Sequence, residues 1–197
     1  MVREPDADAR LNSAAKRLQR HVAEAEQELR AFTDKQAERI TSLGPHEWMA
    51  READALEQER LRTGTLVKVL VSDSTGAWSG DLVTDAQDTS CASLRAETRV
   101  GTMSVRTARP VWIEPRVQNR YLSAAFHPSF HAPEGLIAVP RGRPGTEILL
   151  SDGSALLRVA WREGAMELGN WLWWRAALII ASAIAFLGAL WMACARV

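Results

Sequence analysis

Near the N-terminus, apolar residues recur at Leu11, Ala15, Leu18, Val22, Ala25, Leu29 and Phe32. The steps alternate between four and three, which places these residues on one narrow stripe of an α-helix, the seam of a heptad repeat. No Gly or Pro occurs from Asp6 to Ser42, so no residue in that stretch breaks a helix. The spacing predicts a coiled-coil-like helix over 6–42, with Leu11, Leu18, Val22, Leu29 and Phe32 as the seam. A seam this narrow predicts pairing with a second copy or a partner protein; the alternative is an amphipathic helix packed on its own domain. Gly44-Pro45 ends the helix. A second one follows over 46–62, apolar at Trp48, Ala53, Leu56 and Leu61, and Thr63-Gly64 closes it.

Beyond Gly64 the period changes. Short apolar runs between turn residues predict strands at Leu66–Val71, Trp78–Val83, Val100–Arg106, Pro110–Ile113, Leu136–Val139 and Ile148–Leu150. Residues 114–134, broken by Gln118, Asn119, Pro128 and Pro133, predict loop. Between 148 and 168 two readings stand: a hairpin turning at Ser151–Ser154, or an amphipathic helix with Leu157, Trp161, Ala165 and Leu168 on one face.

From Ala176 to Ala195 the chain has no charged residue. As one helix, that run reaches roughly 30 Å, the thickness of a bilayer core. Trp171, Trp173, Trp174 and Trp191 flank it, as in an interfacial aromatic belt. The run predicts a transmembrane tail anchor. Arg158, Arg162 and Arg175 precede it and Arg196 alone follows; with no apolar export segment at the N-terminus, this predicts a cytoplasmic N-terminal side on a single-pass bacterial inner-membrane protein. Ala177, Ala181, Ala185, Ala189 and Ala193 recur every fourth residue, a small-residue stripe expected to pack transmembrane helices together. The expected fold class is thus an α+β membrane protein: a helical arm (1–63), a small mainly β or irregular juxtamembrane region (64–169) and a transmembrane tail (170–197).

Composition adds little to that outline. The 24 basic and 24 acidic residues cancel, so global charge selects no partner. Two cysteines, Cys91 and Cys194, sit in regions of different character and predict no mutual disulfide. His127 and His131 have the spacing of a metal pair, but Pro128 and Pro133 make the segment loop. Gly76-Ala77-Trp78-Ser79-Gly80 is not a nucleophile elbow, and no phosphate-cradling glycine loop occurs. No catalytic, cofactor-binding or metal-binding residue is assigned.

Locally, charge is uneven. From Arg95 to Arg143 eight arginines stand against three glutamates, a patch able to meet phosphate. Within it, Pro140-Arg141-Gly142-Arg143-Pro144 resembles the core of an AT-hook, which implies Arg141 and Arg143 as candidate minor-groove contacts. The layout of coiled helix, Trp-rich boundary and near-terminal span is similar to that of MobB-type mobilisation proteins. The leading expectation is a membrane-anchored, non-enzymatic scaffold or adaptor that self-associates or grips a partner protein through its N-terminal helix. An accessory protein of DNA mobilisation and a membrane enzyme are the alternatives.

Overall fold

The computed structural model describes residues 5–72, 74–79, 91–115, 123–163 and 177–184. Helix α1 runs Pro5–Leu43 and helix α2 Pro45–Thr63. Gly44, at φ 78°, makes the break: its N–H donates to the Ile40 carbonyl at 2.8 Å and its carbonyl accepts from the Trp48 N–H at 3.0 Å. Pro45, which has no N–H to leave unpaired, opens α2.

Among the described residues eight strands follow: β1 Leu66–Val71, β2 Ser74–Ser79, β3 Cys91–Val100, β4 Met103–Ile113, β5 Ala125–Phe126, β6 Leu136–Val139, β7 Thr146–Leu149 and β8 Ala155–Trp161. They form two antiparallel sheets. In sheet A the order is β2-β1-β4-β3, with β5 added beside the end of β4; in sheet B it is β6-β8-β7. The predicted strand over Val100–Arg106 is corrected: Val100 pairs with Met103, and Gly101-Thr102 between them is a two-residue turn. Gly101 takes φ 60° while Thr102 keeps a negative φ, the type II′ arrangement that follows the twist of paired strands. Of the two readings for 148–168 the hairpin is realised, β7 pairing with β8.

Residues Met1–Ala160 form one compact unit and Trp161–Val197 another. In the first, both helices lie on one face of sheet A. Val67, Val69, Ala77 and Val105 of the sheet meet Ala37 and Ile40 of α1 and Trp48 and Leu56 of α2. Trp48 is fully buried, and its indole N–H donates to Gln36 Oε1 at 2.8 Å, so the ring enters the core without losing a hydrogen bond. Thr33 of α1 donates to the Leu29 carbonyl and receives the Thr107 hydroxyl of β4, both at 2.6 Å.

The heptad seam is closed within the chain itself. Leu18, Val22 and Leu29 are at most 1% exposed, and α1 packs on β3, β4, β7 and α2. The coiled-coil expectation is corrected accordingly: this chain's own sheets cover the stripe that another helix would have to meet. The same helix also holds the edge of sheet B. Asn12, Gln19 and Glu26, seven residues apart, bond Thr146, Leu149 and Ser151 in turn.

The membrane expectation is corrected as well. Among the described residues no helix is long and apolar enough to cross a membrane. Of the apolar C-terminal run, residues 177–184 are described, and they are helix. The α+β membrane fold class, the tail anchor and the single-pass inner-membrane localisation all rested on that helix and are withdrawn. Ala177 and Ala181 are exposed on it, while Ala185, Ala189, Ala193 and Cys194 lie outside the described residues.

Candidate functional site

Side chains alternate across a strand, so covering one face of sheet A with helices sends the other set to solvent. Register aligns that second set. Trp78 pairs with Lys68, Lys68 with Arg106, and Arg106 with Glu97, one row across all four main strands. Arg95 and Arg99 flank Glu97 on β3. The face therefore presents four cations, one carboxylate and an indole 48% exposed.

Glu97 organises the cations. Its Oε1 accepts from Ser104 Oγ at 2.8 Å and Arg99 Nε at 2.9 Å, and its Oε2 meets Arg106 Nε at 3.1 Å. The Ser104 hydroxyl and these two guanidinium groups pull its carboxyl down to about 2. At neutral pH Glu97 is a fixed anion that orients two arginines. Arg95 meets no described carboxylate; its Nε lies 3.5 Å from Ser93 Oγ.

On the opposite face, polar groups are joined in a buried node. Arg109, its side chain 4% exposed, occupies an inward position of β4 among Val105, Thr107 and Val111. Its Nε donates to Thr65 Oγ1 at 3.0 Å, one terminal nitrogen reaches Glu28 at 3.1 Å and the other Glu59 at 3.3 Å. Thr63 also donates to Glu59, at 3.0 Å. The guanidinium thus ties α1, α2 and β4 together, and pairing is what makes a buried cation tolerable.

Beside this node, His127 Nδ1 accepts the Ser129 N–H at 3.3 Å and lies 2.8 Å from Ser129 Oγ. Burial and the Arg109 charge push its pKa below the ordinary histidine value. His127 therefore caps the short 3-10 turn Pro128–Phe130 as a neutral acceptor. His131 faces elsewhere, its ring edge-on to His21 at 6.1 Å between centroids. The sequence spacing suggested a metal pair, but the two imidazoles belong to different contacts. Among the described residues no group of three or more His, Cys, Asp or Glu side chains is placed to hold a metal.

Arg141 and Arg143 lie exposed in the connection between β6 and β7. The Arg143 N–H donates to the Pro140 carbonyl at 3.2 Å and Gly142 takes φ 97°, which folds the AT-hook-like string into a closed turn. The Arg143 carbonyl in turn accepts from Arg158 at 2.8 Å. Both arginines sit on this one turn, which joins two strands of sheet B and not of sheet A. Sequence reasoning assigned no role to Trp78 or Lys68, and counted Arg95 and Arg106 only within the arginine-rich stretch able to meet phosphate. The signal available was the alternation in Leu66–Val71, which sets Lys68 opposite in phase to Val67 and Val69.

No known protein family matches this chain, and neither the curated proteins nor the solved structures contain a match. Any functional assignment therefore rests on the chain's own geometry.

Proposed function

We propose that this chain is a non-enzymatic adaptor that binds an acidic partner protein through the solvent face of sheet A. The observation that carries the reading is Trp78, half exposed on a paired strand and in register with Lys68 and Arg106. Trp and Arg dominate binding hot spots because each combines a large contact area with a directed polar group. A four-stranded sheet backed by two helices holds them in place beforehand, which reduces the ordering cost of association. The N-terminal seam is no longer the contact surface, because it is buried in this chain's own core.

The test is fluorescence anisotropy of a labelled poly-glutamate peptide titrated with the full chain. Trp78→Ala and Arg106→Gln should each weaken binding by about tenfold, equivalent to about 1.4 kcal/mol. Undetectable binding, or equal affinity in all three proteins, overturns the reading.

A second reading uses the same row as a stacking platform for single-stranded nucleic acid, favoured by an indole set beside cations. A labelled oligo-dT replaces the peptide. Tighter binding of the oligonucleotide, falling steeply with salt, selects this reading over the first.

A further inference from the structure

We propose that two copies of this chain associate through β3, edge to edge, joining their larger sheets into one continuous antiparallel sheet. The inference is independent of the adaptor reading. Among the described residues, strand β3 ends the order of sheet A and pairs along one side only, with β4. From Ser93 to Val100 that pairing runs without a register shift, so the opposite side is a straight, regular edge.

The hairpin determines which backbone groups face outward. Val100 and Met103 close a two-residue turn and so form a hydrogen-bonded pair. Bonded positions alternate along an antiparallel ladder. Ala96 and Thr98 therefore direct their backbone groups at β4, while Arg95 and Glu97 direct theirs away from it. No described backbone group meets Arg95 or Glu97 on that side. A groove of about 270 Å³, lined by Arg30, Asp34, Arg95, Ala96, Glu97 and Thr98, runs beside this edge.

Charged residues on an edge commonly guard it against pairing. Here their order makes one register self-complementary. With the two-fold axis at Ala96, Arg95 of each copy stands opposite Glu97 of the other, and Ala96 meets its own counterpart. Moving the axis to Arg95 opposes two Arg95 side chains. Moving it to Glu97 opposes two Glu97 side chains and sets Arg95 against Arg99. An axis at Thr98 allows Glu97 to face Arg99 but pairs only the last few residues of the strand. The register at Ala96 thus combines the longest overlap with opposite charges.

The groups involved are available. Arg95 has no described carboxylate partner. Glu97 Oε2 accepts from Arg106 alone among the described residues, and a carboxylate oxygen accommodates a second donor. Alanine at the axis suits the close side-chain approach of a non-hydrogen-bonded pair. The interface is isologous, so it closes at two copies and leaves no β3 edge exposed.

Sedimentation equilibrium on the full chain tests the proposal. The native chain should be dimeric. Arg95→Glu sets a carboxylate against Glu97 of the other copy and should raise the dissociation constant by about tenfold or more. Glu97→Arg should do the same with two arginines, while a mixture of the two variants should form a heterodimer, since every cross-strand pair is then opposite in charge. Where Glu97→Arg impairs folding, a second measurement decides. Ala96→Cys, in a background with Cys91→Ser and Cys194→Ser, should form an intermolecular disulfide under mild oxidation. A monomeric native chain, an unaffected Arg95→Glu variant, or a dimer that Ala96→Cys fails to crosslink each overturns the proposal.

Discussion

The side-chain amide of Gln19 bonds both backbone groups of Leu149: its Nε2 donates to the carbonyl at 2.6 Å and its Oε1 accepts the N–H at 2.7 Å. Leu149 lies on β7, an outer strand of sheet B, where a neighbouring strand would make those same two bonds. One helical residue therefore occupies an edge that is otherwise open to pairing.

Gln19→Ala should remove both bonds and lower stability by about 1–2 kcal/mol, on the order of two net hydrogen bonds. Amide exchange at Leu149 should accelerate well beyond that of Ile148, whose side chain is buried. Unchanged protection at Leu149 would mean that the amide adds nothing to the edge.

Arg109→Met should be far more damaging than a surface arginine change. The apolar stem is kept, but Thr65 and Glu59 lose a buried donor. The expected cost is about 3 kcal/mol, a fall of roughly 6–12 °C in melting temperature for a chain of this size. Glu28→Gln should cost much less than Glu59→Gln, since the Glu28 side chain is 63% exposed and that of Glu59 17%. Urea unfolding of the three variants checks the order, and the reverse order contradicts the node as described.

Two titrations act on stability in the same direction. His127 is lowered from 6.5, first by burial and then by the Arg109 charge. The unfolded chain therefore takes up this proton more readily, and stability falls as pH drops below 6.5. His127→Asn retains an acceptor for the Ser129 N–H and cannot titrate, so native and variant should diverge as pH crosses that value. Glu97 is lowered from 4.5 to about 2. Its contribution is present above 4.5 and is lost as pH falls through that interval. Carboxyl chemical shifts should show Glu97 still ionised where solvent-exposed glutamates have protonated.

Gly64→Ala should cost about 2–4 kcal/mol. Gly64 sits at φ 72°, and a Cβ there would come within 2.9 Å of Pro110 Cγ and 3.0 Å of His127 Nε2. Gly153, at φ 82°, has open space around it, so Gly153→Ala should cost only the backbone strain, about 1–2 kcal/mol. Chemical denaturation of both variants separates the steric contribution from the conformational one.

Helix bonds link residues four apart, so the seam from Leu11 to Phe32 and the Gly44-Pro45 break are written locally, and the sequence alone determined a long helix followed by a second. It also determined that Leu66–Val71 alternates. What the seam would meet was not local. The same stripe suits another helix or this chain's own sheets, and only the fold decided for the sheets. Strand β3 does alternate, Ala92, Leu94, Ala96 and Val100 against Ser93, Arg95, Glu97 and Arg99, a local signal that sequence reasoning passed over; that β4 is its partner is not local. The apolar residues from Val100 to Arg106 were misleading because the chain reverses at Gly101. Arg109 shows the limit most directly. An arginine in sequence reads as surface, and it is buried because Glu28, Glu59 and Thr65 converge on it from three distant segments. The row Trp78–Lys68–Arg106–Glu97 likewise exists only as register. Strand bonds join residues remote in sequence, so which side chains share a face is settled by pairing rather than by spacing.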